Sequence, residues 1–550
     1  MTEHVFTNLV HNSIMEYWDK PALCLFHHEE ITFAGLAEHI ARFHILFEQA
    51  GIKRGDKIAL CAKNTNRWAV SFLAVTTYGA VVVPILSDFT PEAINNLVDH
   101  SDSMALFTDK EIWEQLDIKL MPKLKAVVNP DDFSLLWGVS KAVELFENLD
   151  ANFAAKYPDG FSKEDVKFRV DDSNIDDLAV INYTSGTTSA PKGVMLTYKN
   201  ISASVDFGLK YRPCSGKDSI VSMLPMAHIY GLIFEFVYPI CGGATIYYLG
   251  KSPAPSVLLR AMKEVHPYLL VTVPLVMEKI YKSSVKPVLS KPAMKILTHI
   301  PLLNRIIFKK VRETLDNAFG GNVVEYIMGG AALNPEVEKC FRKIGLHYMV
   351  GYGMTEAAPL IAYETWDKYV PTSCGKKVDC ATVKIDSEDP QRIAGEILVK
   401  GDNICIGYYK NEEASANAFT EDGFLRTGDL GVIDKDGNIF IKGRSKSMIL
   451  GANGQNIYPE EIEAVINTQD FVVESVVVDR ASKLVGLVYL DNDAIKKAGL
   501  DEEAIADLPE KIRVSVNRSM PSYSLLTKVE VMLEPFAKTP KMSIKRFLYK

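Results

Sequence analysis

The residues best suited to chemistry lie between Asn182 and Leu196, in the stretch NYTSGTTSAPKGVML. Hydroxyls at Thr184, Ser185, Thr187, Thr188 and Ser189, with glycines at Gly186 and Gly193, crowd around Lys192. Such a loop can wrap oxygen atoms with donors while the lysine adds a positive charge, so a phosphate chain is its natural guest. It is not a Walker loop. Pro191 stands before Lys192 where that pattern needs glycine, and the apolar run GVMLTY predicts that a strand, not a helix, follows. Alone, the loop reads equally well as a solvated Ser/Thr turn.

Four further segments shift that balance. MGGAALNPEV (Met328 to Val337) ends a candidate strand in two glycines, which let a ligand approach the backbone, before Asn334 and Pro335 start a helix. In GYGMTEAAP (Gly351 to Pro359), Tyr352 between Gly351 and Gly353 can stack on a base, Thr355 can bond a phosphate and Glu356 can hold Mg²⁺, an ion that takes one or two carboxylates together with phosphate oxygens. FLRTGDLG presents Asp429 for the hydroxyls of a ribose. KGRSKSMILGANGQNIYPEEIE carries Arg444 and Lys446 and leads to a helix start at Tyr458-Pro459. Singly, each segment is as readily a turn or a surface carboxylate.

The elements that must position these residues alternate. Candidate strands at Ile58–Cys61, Ala80–Pro84 and Ala105–Phe107 are separated by helical patterns at Arg67–Thr77 and Pro91–His100. The pattern recurs through DSIVSML, YLLVTV, NVVEYIMGG and LHYMVGYG, which predicts βαβ units and largely parallel sheets with ligands at the carboxyl ends of strands. After about Gly395 hairpin patterns take over, one turning at Asp436-Gly437. The fold class expected is therefore α/β, with a large body of βαβ-type sheets over 1–443 and a small α+β domain over 444–550.

The 550 residues suffice for roughly three or four domain-sized units. With 61 basic and 69 acidic residues and a net charge of −8, a nucleic acid is not the expected partner. Eight scattered cysteines show no metal-knuckle or redox spacing and are expected as reduced thiols in a cytoplasmic protein. The start MTEHVFTNLVHNSIMEYW lacks a basic leader with an apolar block, and the most apolar stretch, Ile229 to Gly250, is broken by Glu235, Pro239 and Gly242-Gly243. Neither a signal peptide nor a membrane span is predicted.

Together and in this order, YTSGTTSAPKG, GYGMTE, RTGDLG and GRSKSMI…NIYPEEIE resemble the motifs of the adenylate-forming enzymes: acyl-CoA synthetases, firefly luciferase and peptide-synthetase adenylation domains. The resemblance implies that Thr184, Ser185, Gly186, Thr187, Thr188 and Lys192 hold the β- and γ-phosphates of ATP, with Thr188 beside the Mg²⁺ of Glu356. It makes Gly330 and Ala331 a backbone platform beside the acyl and adenine sites, and Tyr352 the aromatic facing adenine. Thr355 would contact the α-phosphate, and Asp429 and Arg444 the ribose. Lys446 falls at the hinge about which the small domain, mobile on this resemblance, turns between two half-reactions. His228, in MLPMAHIYGL, resembles the acyl-pocket histidine and is given an orienting or gating role.

RWAVSFLAVTTYGAVVVPI and VPLVMEKIYKSSVKPVL are most similar to stretches of long-chain fatty acyl-CoA synthetases, which implies a fatty acid, ATP and coenzyme A as substrates. The expected reaction is attack of the acid on the α-phosphorus of MgATP, then displacement of AMP by the CoA thiol, with no protein nucleophile. One departure stands out. The family ends in a loop of the type KTPTGKIKR, and here KTPKMSIKR puts Ser543 where the lysine is expected, with Lys541 and Lys545 nearby. That departure keeps open an adenylation-impaired family member that binds nucleotide or acyl-adenylate, and a ligase for an aryl or other carboxylic acid is a further alternative. Finally, LTHIPLLNRIIFKKVRETL (Leu297 to Leu315) pairs apolar residues with Arg305, Lys309, Lys310 and Arg312. It fits a helix packed on the core, the commoner use of such a stripe, or one lying on a membrane surface. The core helix is the expectation.

Overall fold

The helical pattern over Arg67–Thr77 becomes the helix Asn66–Tyr78, and its limits are chemical. Extended Thr65 accepts the Trp68 N–H on its side chain, and Gly79 ends the helix at φ 92°, a left-handed value that suits glycine. Every residue of this helix except Arg67 is buried, so it runs through the interior. It joins the parallel strands Lys57–Cys61 and Val81–Pro84, as a βαβ unit requires.

The computed structural model of the chain describes residues 2, 4–184, 191–250, 255–450, 456–480, 483–539 and 544–549. A seven-stranded sheet runs in the order Leu135–Gly138, Ala126–Val128, Ala105–Thr108, Lys57–Cys61, Val81–Pro84, Leu178–Thr184, Lys192–Thr197. Its interior pairings are parallel, and the two edge pairings are antiparallel. The second is the hairpin that carries the hydroxyl-rich stretch. A strand does follow the loop, with Thr184 and Lys192 paired across the ladder. A four-stranded sheet contains Ser219–Ser222 and Thr245–Tyr248, and a three-stranded parallel sheet contains Leu269–Thr272, Glu325–Met328 and Tyr348–Val350.

The expectation of parallel pairing fails between Tyr352 and Asp386, where the hairpins expected after about Gly395 already begin. Tyr352–Gly353, Leu360–Tyr363 and Lys376–Lys377 pair antiparallel, as do Ala381–Asp386, Gly395–Gly401, Leu425–Ile433 and Ile439–Arg444. Most of these links are shorter than the roughly dozen residues a parallel crossover needs, while the longest, 402–424 with the helix Glu412–Ala418, still joins an antiparallel pair. The turn expected at Asp436-Gly437 forms, with Gly437 N–H donating to the Asp434 carbonyl at 3.1 Å.

Beyond it, Val472–Arg480, Lys483–Leu490 and Lys528–Met532 form a separate sheet with the helices Pro459–Ile466 and Glu502–Asn517, giving the expected α+β unit its own apolar core. Arg546 donates to Glu463 on the first helix at 2.7 Å, which ties the last described residues to that core. All eight cysteines are unpaired.

Among the described residues no helix is long and apolar enough to cross a membrane. Over the most apolar stretch the chain forms Ile229–Gly231, a π-helical turn Leu232–Val237, Tyr238–Cys241 and the strand Thr245–Tyr248. The core helix expected over Leu297–Leu315 is not found as such. Two helices form instead, Pro292–Leu297 and Leu303–Ala318, and from Lys286 through Thr314 no residue is buried. Only Phe308, Val311 and Leu315 share one helical stripe that meets the core, because the remaining aliphatics fall off that stripe.

Candidate active site

One cavity of about 400 Å³ gathers most of the segments chosen from sequence. Thr184 and Lys192 reach it from the hairpin ends, Gly330 from the strand end at Met328, and Gly351 through Glu356 from the turn after Tyr348–Val350. Arg444, at the end of the strand Ile439–Arg444, and Lys446, two residues beyond it, also line it, as does His228 from the loop after Ser219–Ser222. Ala331 is exposed and does not line it, whereas Gly329 and Gly330 do. At Gly330 a φ of 86° turns the chain away before Ala331 can reach the wall. Ser185, Gly186, Thr187, Thr188 and Ser543 lie outside the described residues.

The turn that presents Thr355 and Glu356 is held tightly. A Cβ on Gly353 would lie 2.0 Å from the Pro359 carbonyl oxygen, so only glycine fits. Asn403 donates to the carbonyls of Ala357 and Leu360, and Cys405 N–H to that of Glu356 at 2.8 Å. The Glu356 carboxylate accepts the Tyr408 hydroxyl at 3.0 Å, and the Lys192 ammonium stands 4.9 Å over the Tyr408 ring. Burial and then the Glu356 charge push the Tyr408 phenol well up, so it stays a donor. Tyr408 thus links the lysine to the carboxylate. Its position came from no motif. The signal available was the IGYYK stretch, whose Tyr408 bridges back to Val194 on the hairpin.

A second cluster stands behind the wall. Asp429 and Arg444 face each other across the hairpin ladder, and Arg444 Nε donates to Asp429 Oδ1 at 2.8 Å. The Tyr352 hydroxyl donates to Asp429 Oδ2 at 2.6 Å. Burial raises the Asp429 carboxyl, and Arg444 and Tyr352 draw it back. Asp429 itself does not line the cavity, and each of its oxygens accepts one donor from within the protein.

Much of the remaining lining is apolar and aromatic, with Phe207, Ile229, Phe234, Leu269, Val271 and Ile327. Arg212 interrupts it, and donates through Nε to fully buried Glu325 at 2.8 Å. His228 caps the short helix Ile229–Gly231 by accepting the Tyr230 N–H, which orients its ring on the lining. The loop before it is anchored from inside. Glu235, fully buried, accepts from Ser222, Met223 N–H and Leu224 N–H, and burial pushes its carboxyl up to about 8.

No group of three or more His, Cys, Asp or Glu among the described residues could cage a metal. A single carboxylate, Glu356, whose Oε2 takes no protein hydrogen bond among the described residues, fits an ion that brings phosphate oxygens with it.

The chain matches the AMP-binding enzyme family over residues 10–409 and the AMP-binding enzyme C-terminal domain over residues 446–549. It belongs to that family of adenylate-forming enzymes. Among its relatives is a long-chain-fatty-acid–CoA ligase of Mycobacterium bovis, 25% identical over 94% of this chain and 90% of that protein. Another is a chloroplastic long-chain-fatty-acid–acyl-carrier-protein ligase of Arabidopsis thaliana, 26% identical over 88% of this chain and 75% of that one. The fold matches that of o-succinylbenzoate coenzyme A synthetase from Bacillus subtilis, solved with ATP and magnesium ion, with a TM-score of 0.73 and 19% identity over 98% of each chain.

Proposed function

We propose that this chain is an AMP-forming fatty acid–CoA ligase. The observation that carries the reading is a single cavity with two unlike sets of lining residues, one of Lys192, Thr355 and Glu356 backed by the Tyr352–Asp429–Arg444 cluster, the other apolar. A nucleotide triphosphate suits the first and an alkyl chain the second, and the junction at His228 is where a carboxylate would meet the α-phosphate.

In this reading the acid's carboxylate attacks the α-phosphorus of ATP and pyrophosphate leaves. The CoA thiol then attacks the acyl carbon and AMP leaves. Lys192 and the hydroxyls of Thr184, Ser185, Thr187 and Thr188 hold the departing phosphates, Thr355 orients the α-phosphate, and Tyr352, Asp429 and Arg444 hold the nucleoside. Their contribution is placement and fixed charge, which suits a reaction that needs no protein nucleophile. Glu356, with Thr188, would hold Mg²⁺, which neutralises phosphate charge and orients the triphosphate. Glu235 keeps the His228 loop in register without touching substrate. We divide the chain at 443/444 and assign the hinge to Lys446, two residues past the ladder that ends at Arg444.

A second reading rests on Ser543. Without a lysine there, the chain binds nucleotide and acyl-adenylate but forms adenylate slowly. One assay separates the two. The protein is incubated with MgATP, CoA and acids from medium to long chain, with aryl and amino acids alongside, and the thioester is identified by mass. Fatty acyl-CoA with stoichiometric AMP is the expected product, and activation of aryl or amino acids alone would refute the fatty acid assignment. Nucleotide binding without turnover would favour the second reading.

A further inference from the structure

From Lys286 through Thr314 the chain is largely helical, in Lys286–Leu289, Pro292–Leu297 and the first turns of Leu303–Ala318, yet no residue is fully buried and only Leu289, Phe308 and Val311 pack partly on the core. Helices in proteins owe most of their stability to a packed apolar face, so an arm of this kind with bare aliphatics lacks its partner. The bare residues cluster at its tip. Leu302 is 72% exposed, Ile296 67% and Ile306 64%, with Ile300 and Leu303 also exposed.

Charge identifies what covers them. Between Glu278 and Glu313 the sequence holds nine lysines and arginines and no Asp or Glu, in a chain whose net charge is −8. Lys286, Lys309 and Arg312 pair with Glu336, Glu313 and Asp316. Lys291, Lys295, Arg305 and Lys310 have no ion pair among the described residues.

We propose that this arm docks on a membrane surface bearing anionic lipids, with Ile296, Leu302 and Ile306 entering the acyl boundary and the flanking cations on lipid phosphates. Aliphatics interleaved with long cationic side chains match an interfacial helix, whose lysines and arginines reach up to the headgroups. A protein partner is a poorer fit. Interface cores are enriched in aromatic residues and depleted of lysine, whereas here lysine dominates and the one aromatic after Tyr281, Phe308, packs inward. A second copy would set two cationic arms against each other. The arm also continues from the helix Pro274–Ile280, which follows the strand that supplies Leu269 and Val271 to the cavity. Under the proposed fatty acid activity, docking would bring the acyl wall near acids dissolved in the bilayer, but the docking itself does not depend on that activity.

The test is sedimentation of the full chain with phosphatidylcholine vesicles prepared with and without phosphatidylglycerol. Binding is expected only with the anionic lipid and should weaken as salt is raised. Replacing Lys291, Lys295 and Arg305 by glutamine should weaken it about a hundredfold, since each cation near such a surface contributes about a fivefold factor. Leu302→Ser with Ile306→Ser should also weaken it, at unchanged salt dependence. Thermal unfolding should not move in either variant, because all five side chains are exposed. Equal binding to both vesicle types, or wild-type binding by the variants, would overturn the proposal. So would a dimer that the triple glutamine variant dissociates, or capture of polyglutamate without capture of vesicles; these would reassign the arm to a protein partner.

Discussion

Glu235→Gln is the perturbation whose size the structure fixes best. The carboxyl is fully buried, with Oε2 receiving three donors from the Ser222–Leu224 loop and Oε1 receiving none. Burial moves it from an ordinary 4.5 to about 8. The unfolded chain ionises near the lower value while the folded chain keeps its proton until the higher. Across that window the unfolded state therefore binds fewer protons, and stability falls as pH rises, by up to about 1.4 kcal/mol per unit. Below the window and above it this group contributes no slope. Glutamine keeps the acceptor oxygen and cannot ionise. Between roughly pH 6 and pH 9 the wild type should thus lose about 2–3 kcal/mol relative to Glu235→Gln. Urea titrations of both proteins at the two pH values give the double difference, in which other titrating groups cancel. Tryptophan fluorescence reports locally, since Trp68 stacks on Phe72 and meets the edge of Phe236, the neighbour of Glu235. Parallel pH profiles for the two proteins would refute the argument and place the charge of Glu235 in contact with water.

Glu356→Gln should slow adenylate formation on the order of a hundredfold and raise the Mg²⁺ needed for half-maximal rate, with little change in folding; an unaltered Mg²⁺ dependence would remove Glu356 from the metal. Lys446→Pro should impair thioester formation from supplied acyl-adenylate while sparing pyrophosphate release, because it stiffens the proposed hinge; equal loss in both would point to misfolding. Ser543→Lys should accelerate single-turnover adenylation about 10²–10³-fold if a charge is missing there. No gain, with collapse in Lys541→Ala or Lys545→Ala, would instead place the active lysine two residues away.

Much of the fold was legible because its signals are local. Helix limits at Thr65 and Gly79, the turn at Asp436-Gly437 and the hairpin around the hydroxyl-rich loop each follow from residue types within a few positions. The candidate site was legible where glycine and charge recur in short motifs, as at Gly353 and Glu356. It was not legible where contact is distant in sequence. Tyr408 meets Glu356 across 52 residues, and Arg212 meets Glu325 across 113, and neither pairing leaves a periodic trace. The arm at 286–314 misled for another reason. An amphipathic pattern states that an apolar face will be covered, not what will cover it.

The engaged state of Asp429 bears on which nucleotides the chain tolerates. With Arg444 on one oxygen and the Tyr352 phenol on the other, a sugar that takes hold of this carboxylate under the proposed reading must carry out an exchange: a phenolic donor leaves as a sugar hydroxyl arrives. A ribose returns two donors and comes out ahead. A 2′-deoxyribose returns one and at best breaks even, forfeiting a hydrogen bond to a charged acceptor that is typically about 1.5–3 kcal/mol. A side-chain arrangement built within the protein's own ladder would thereby act as a filter that separates RNA-type from DNA-type precursors by about one to two powers of ten, before any chemistry begins.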